Sequence, residues 1–310
     1  MPYCFRAEHS VAEEFRRIAH EQLERGLDDA RENDPHEAVH ELRKRMKKVR
    51  GLIRLVRPAF SGYARANAWF RDTARIVSDL RDATSLIECL DALAERYGKS
   101  IGANAFEITR KRLWQRRERL VADQGLDLRL QQVCRRVEAG QALVDEWRLD
   151  REGWEALGGG LEKTYKRARN RLADCRDKPT TENLHEWRKR VKYHRYHLKL
   201  LRRSWDPVIM AHRDAAKRLS DLLGDDHDIA VFLQILNDER LLDGAEPGQA
   251  LRGLLEQRRQ ELQAQAMPLG KRLFHDGPAT VRDRFGAYWA AFETESALHA
   301  RIPEPARAVS

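Results

Sequence analysis

The sequence has no run of about 20 apolar residues, so no transmembrane helix is expected. The N-terminus, MPYCFRAEHSVAEEF, lacks the apolar core of a signal peptide. Cysteine is scarce: Cys4, Cys89, Cys134 and Cys175 lie far apart without a CxxC pair. That pattern argues against a zinc site and for reduced thiols in a cytoplasmic protein. Glycine and proline are sparse, at 18 and 10 of 310 residues, and Leu, Ala, Arg and Glu dominate, as in long helices. A GxxxxGK[ST] phosphate loop is absent, as are a carboxylate cluster for Mg²⁺ and an obvious nucleophile pair. The chain therefore reads as non-catalytic, with no cofactor and no bound metal.

What the sequence does have is positive charge. Lys and Arg number 58 against 49 Asp and Glu, a net charge of +9 that favours anionic partners without choosing among them. The apolar fraction of 42% is enough for a core. The charge is unevenly placed, with no Asp or Glu from Leu42 through Arg71 or from Trp187 through Trp205. A solvated helix face usually pairs Glu with Lys at i,i+4. These two segments forgo that pairing, so the compensating negative charge is expected from outside the chain.

The two segments are copies of each other. At an offset of 145, His40, Glu41, Arg43, Lys44, Arg45, Lys47 and Arg50 match His185, Glu186, Arg188, Lys189, Arg190, Lys192 and Arg195. As helices, His40, Arg43, Lys44, Lys47 and Arg54 share a face opposite Leu42, Met46, Val49 and Ile53. His185, Arg188, Lys189, Lys192, Tyr196 and Lys199 likewise lie opposite Leu184, Trp187 and Val191. The repeat continues at an offset of 142, where Arg71, Asp72, Arg75, Ser78 and Asp79 match Arg213, Asp214, Lys217, Ser220 and Asp221. Two fused homologous halves are expected, each with at least four helices, giving an all-α fold of two helical bundles.

In chain order, helical patterns cover 8–32, 35–57, a segment after Gly62, 84–97, 102–122 and 127–147. Asp34, Pro35 and Glu37 form a helix start. Asp150–Gly160, DREGWEALGGG, has the glycine content of a linker. A helix over 161–176 follows, and Pro179-Thr180-Thr181-Glu182 opens the second basic helix with a threonine cap. Residues 296–310 read as a loose tail.

The two His-x-x-Arg-Lys helices, the Gly160-Leu161…Tyr165 lead-in and Leu223-Gly224-Asp225-Asp226-His227-Asp228 together resemble the conserved histidine α-helical (CHAD) domain, over roughly residues 5–295. The resemblance implies two antiparallel four-helix bundles, residues 5–150 and 151–295, related by a pseudo-two-fold axis. It also implies a basic channel between them that binds inorganic polyphosphate, and a family found at polyphosphate granules. Carried over by position, His40, Arg43, Lys44, Lys47 and Arg54 line one wall, and His185, Arg188, Lys189, Lys192 and Lys199 the other. Arg16, Arg17, Lys166, Arg169, Arg213 and Lys217 join them on register alone. The first half has Leu80-Arg81-Asp82-Ala83-Thr84 where the second has its His-containing motif, so unequal contributions are expected.

Phosphate oxygens suit Arg, which engages two at once, and Lys, a point charge. His40 and His185 read either as phosphate donors that gain charge as pH falls through about 6.5 or as neutral residues ordering the fold. Glu41 and Glu186 read as ion-pair partners. Asp226-His227-Asp228 reads as a helix start with an Arg partner rather than a metal cluster. His194 and His197 extend the second basic helix toward either the channel or the surface. A nucleic-acid binder is the alternative function, disfavoured by the lack of a known reader motif and of stacking aromatics on the basic faces. An enzyme acting on polyphosphate is the third.

Overall fold

A computed structural model describes residues 3–101, 103–238 and 246–299, and every element among them is helical. The helices are α1 (Val11–Glu32), α2 (Pro35–Leu55), α3 (Tyr63–Arg75), α4 (Ser78–Ile101), α5 (Ala103–Gln124) and α6 (Leu126–Asp145). After these come α7 (Gly153–Asp177), α8 (Thr181–Leu201), α9 (Asp206–Asp238), α10 (Glu246–Leu273) and α11 (Pro278–His299). Because α11 runs to His299, residues 296–299 of the expected tail are helical, and the rest of it lies outside the described residues.

The starts of the two basic helices follow from their caps. The Asp34 carboxylate accepts from the backbone N–H groups of His36 and Glu37, with Pro35 in the first turn of α2. The Thr180 hydroxyl accepts from the Asn183 N–H at the start of α8. Each helix then turns its apolar stripe inward: Leu42, Met46 and Val49 on α2, and Leu184, Trp187 and Val191 on α8, are fully or almost fully buried.

Two expectations need correction. The glycine-rich stretch is no linker, for Gly158, Gly159 and Gly160 sit inside α7. A Cβ on Gly160 would lie 1.7 Å from the Leu55 carbonyl oxygen. Gly160 lets α7 cross the end of α2 at backbone distance, which a side chain would forbid. Nor does a helix begin at Asp226. The 33-residue α9 passes through it unbroken, about 50 Å of helix. The expected Arg partner is present, as Arg259 Nε donates to Asp226 Oδ1 at 3.0 Å.

Burial explains the packing. One core gathers residues such as Phe15, Leu42, Phe70 and Val137 with Leu161, Trp187, Leu219 and Trp289, and so joins α1, α2, α3 and α6 to α7, α8, the first part of α9 and α11. A second core sets Leu86, Leu90, Phe106 and Leu113 of α4 and α5 against Phe232, Leu236, Leu255 and Leu262 of α9 and α10. Both cores draw on residues before and after position 150. Helix α9 is long enough to serve both, which is why they sit side by side along it.

Helices α2 and α8 meet at Gly51. A Cβ there would lie 3.0 Å from Tyr196, and His197 Nε2 lies 3.1 Å from the Gly51 carbonyl oxygen. This contact holds the two basic faces at a fixed separation.

Candidate functional site

Helices α2, α3, α4, α8 and α9 enclose a cavity of about 1010 Å³. Helix α2 contributes His40, Arg43, Lys44, Lys47, Lys48 and Arg50; α8 contributes His185, Arg188, Lys189, Lys192, Arg195 and Lys199. Arg71 and Arg75 come from α3, Arg81 and Asp82 from α4, and Arg213, Lys217, His227 and Asp228 from α9. Among the described residues lining it, fifteen are Lys or Arg and only Asp82 and Asp228 are acids, so the cavity is strongly positive.

Some of this charge is neutralised by the chain and some is not. In both copies the glutamate after the histidine holds the outer cations. Glu41 pairs with Lys44 at 2.6 Å and Arg45 at 3.5 Å, and Glu186 with Lys189 and with Arg190 at 3.1 Å. Lys47 and Lys192, one turn further in, have no acid within 4.0 Å among the described residues. Burial, then Arg43 and Arg188, push the Lys47 ammonium down to about 8. Burial, then Lys47 and Arg188, hold Lys192 well below the usual lysine value. Nε and Nη1 of Arg43, Nη1 of Arg81 and Nε of Arg188 are buried without a hydrogen-bond partner, a costly arrangement in the absence of an acceptor. Gly224 lies beside the Arg188 guanidinium, where a Cβ would sit in ordinary van der Waals contact, 3.6 Å from Nε.

The histidines differ between the copies. His40 Nδ1 accepts from Arg81 Nε at 2.8 Å, so its proton is on Nε2, free to donate. His185 Nδ1 lies 3.2 Å from His227 Nδ1, with ring centroids 4.2 Å apart, so one ring donates and the other accepts. Burial, reinforced by Arg81, lowers the His40 pKa, and burial with Lys189 and Arg188 lowers that of His185. Burial and then Arg188 push His227 down to about 3. All three are therefore neutral near pH 7, so the charge gain expected near pH 6.5 moves to lower pH. Arg81 stands beside His40 where His227 stands beside His185, and Asp82 and Asp228 follow each on the cavity wall. This is how the shorter first-half motif meets the same geometry with a different residue.

Eleven of the sixteen sequence-chosen residues line the cavity: His40, Arg43, Lys44, Lys47, His185, Arg188, Lys189, Lys192, Lys199, Arg213 and Lys217. The other five do not. Arg16 donates to the Trp147 carbonyl, and Arg17 is held by Glu14, Glu21 and the Cys4 carbonyl. Arg54 stacks on Tyr193, with Cζ 4.1 Å from the ring centroid, and lines a separate pocket. Lys166 lines a second surface basin, and Arg169 is exposed on α7 away from the cavity. The wheel placed Arg54 two turns beyond Lys47, but α2 has by then passed its crossing with α8. His194 and His197 face neither channel nor surface: both are buried in the core, where desolvation pushes each ring down to about 3. Among cavity residues, Lys48, Arg50, Arg81, Arg195 and His227 were not chosen from the sequence. The Asp-His-Asp motif was the available signal for His227, and the register of Leu80-Arg81-Asp82 for Arg81.

Residues 15–237 match the CHAD domain family. The chain belongs to that family. Two curated proteins of Mycobacterium tuberculosis are similar to it. Uncharacterized protein Rv2226 of strain ATCC 25618 / H37Rv is 30% identical over 205 residues, 60% of this chain. Uncharacterized protein MT2285 of strain CDC 1551 / Oshkosh is 30% identical over 209 residues. This chain spans 38% of the length of each. Among solved structures, PptA from Streptomyces chartreusis shares the fold, with a TM-score of 0.57 at 17% identity, covering 84% of this chain and 97% of that one. In this CHAD domain, no described helix is long and apolar enough to cross a membrane. No described group of three His, Cys, Asp or Glu could hold a metal ion.

Proposed function

We propose that this CHAD domain binds inorganic polyphosphate in the cavity between α2 and α8, without catalysing its turnover. The observation that carries the reading is the pairing of Lys47 with Lys192. They are two part-buried cations on facing helices, flanked by Arg43 and Arg188 and with no acid within 4.0 Å among the described residues. A protein keeps such a repulsive arrangement when an anion from outside relieves it. Polyphosphate carries about one charge per phosphate, on a flexible chain without bases, and the cations of each helix recur at about one turn of 5 Å. The unpartnered guanidinium N–H groups of Arg43, Arg81 and Arg188 supply directional donors for phosphate oxygens, and His40 Nε2–H adds a neutral one. Family membership fits this polyphosphate-related role. A channel running between pseudo-symmetric halves, and residence at polyphosphate granules, belong to the same proposal.

Calorimetric titration with long-chain polyphosphate at two salt concentrations tests the reading, with single-stranded DNA of matched charge as control. Binding that salt weakens, strong for polyphosphate and slight for DNA, is expected. Equal binding to both overturns it. Lys189→Glu with Lys192→Glu is expected to abolish binding with helicity unchanged by circular dichroism. Incubation with Mg²⁺ is expected to release no phosphate.

A further inference from the structure

A second concentration of positive charge lies outside the main cavity, where α7 and α8 pass the end of α2. A narrow pocket of about 10 Å³ between Arg54, Arg57, Lys163, Arg167, Arg190 and Tyr193 adjoins a basin of about 360 Å³. The two share Lys163 and Arg167, and Lys166 and Asn170 extend the basin along α7. The one acid on either wall among the described residues is Glu162, and Arg282 already holds its carboxylate at 3.0 Å. Arg57, Lys163, Lys166 and Arg167 have no acid within 4.0 Å among the described residues. The charges act on one another: Arg57 above all lowers the Lys163 ammonium, and burial with Arg190 lowers Arg167. Arg54 Nε is buried without a partner. Two guanidinium groups are held against tyrosine rings, Arg54 on Tyr193 at 4.1 Å and Arg57 on Tyr63 at 4.4 Å, which fixes their planes before any ligand arrives.

Tyr193 lines both this pocket and the main cavity, so its ring is the wall between them. Lys and Arg therefore line both sides of one aromatic partition, and on the far side the one acid among the described residues, Glu162, is already paired with Arg282.

We propose that this basin and the narrow pocket beside it form a second phosphoryl-oxyanion site, with Lys163, Lys166 and Arg167 of α7 on the basin wall and Arg57 reaching it from the pocket side, separated from the main cavity by the Arg54–Tyr193 stack. Its existence does not depend on what occupies the main cavity. Its ligand chemistry is a compact phosphate-type anion with several oxygens, matched by Arg and Lys donors converging from two elements. That anion comes either from a free oligophosphate or from the end of a long polyphosphate chain.

The test uses the full chain and tripolyphosphate, followed by calorimetry. Lys163→Glu with Arg167→Glu is expected to bind one tripolyphosphate fewer per chain than the wild type. The same difference is expected in a Lys44→Glu/Lys189→Glu background. Unchanged stoichiometry and affinity in both backgrounds overturn the proposal. Both basin residues are exposed, and the milder Lys163→Gln and Arg167→Gln changes, each expected to weaken that site about tenfold, serve if the charge reversal unfolds the protein. If Lys44→Glu/Lys189→Glu binds tripolyphosphate like the wild type, the main-cavity reading fails while the basin stands or falls on its own variants. Titration with long-chain polyphosphate assigns the source. A tenfold weakening in the basin variant marks a chain end at this site, and unchanged long-chain affinity with a lost tripolyphosphate site marks a free oligophosphate.

Discussion

His197 Nε2 donates to the carbonyl oxygen of Gly51 across 3.1 Å, and this bond fastens one basic helix to the other. The ring is completely buried and desolvation pushes its pKa to about 3, far below the ordinary histidine value. His197→Ala is expected to cost about 3 kcal/mol through the lost bond and the cavity left behind. The sign of the pH dependence follows from the lowered value. The native ring stays neutral while the unfolded one takes up a proton, so its contribution is complete above about pH 6.5 and declines as pH falls below that. Urea denaturation of wild type and variant at pH 7.5 and pH 5 checks this, and an equal difference at both would contradict it.

The Lys47–Lys192 pair implies opposite effects on stability and binding. Lys192→Met keeps the chain length and removes a charge that Lys47, Arg188 and Arg195 repel. The variant is expected to gain about 1 kcal/mol of stability and to lose at least about tenfold in polyphosphate affinity. Thermal melting and calorimetry measure the two. A less stable variant would mean that the lysine has an unrecognised partner.

Polyphosphate binding is expected to take up protons at alkaline pH. In the free protein Lys47 and Lys48 are both lowered to about 8, chiefly by burial, with cationic neighbours adding to it. A bound polyanion favours the charged form and returns these values toward 10.5. At pH 9 at least about one proton should therefore enter per chain bound, and affinity should fall as pH rises past 8. Titrations in buffers of different ionisation enthalpy count the protons; a buffer-independent heat would exclude the coupling. In the free protein the same shift works the other way, with stability rising between pH 8 and 10.5.

Gly160→Ala is expected to be among the most damaging single substitutions. The new methyl would meet the Leu55 carbonyl at 1.7 Å, a backbone atom that cannot turn aside. A loss of about 3 kcal/mol or more is expected. Gly253→Ala, where a Cβ meets nothing within 4 Å, should be neutral or stabilising. Chemical denaturation of both variants gives the comparison.

The sequence shows the basic helices because their signals are local. Asp34 and Thr180 mark their starts, the 3.6-residue period separates His40, Arg43 and Lys47 from Leu42 and Met46, and the absence of acids shows in composition. What it hides depends on crossings between distant segments. Gly158 to Gly160 read as a linker because glycine is weak within a helix, yet Gly160 is needed for the close approach to Leu55. His197 shares a helix with Lys192 and Lys199, and only its position at Gly51 shows that it belongs to the core. Arg54 carries the right period, but Tyr193 separates it from the cations it seemed to join. Arg81 and His227 play matching parts beside His40 and His185 with unlike side chains, a correspondence that residue identity conceals.

The division of the apolar interior has a consequence for how the molecule could be taken apart. Leu86 and Phe106 are covered by Phe232 and Leu255, and Phe15 belongs to the same core as Trp289. A chain cut near Asp150 would yield two fragments that each leave a large oily surface unsheltered. Neither would persist alone as a half-sized module. Expressed together, they would have to reassemble by complementation, restoring both interiors at once, and the basic cavity between α2 and α8 would return only with that reunion.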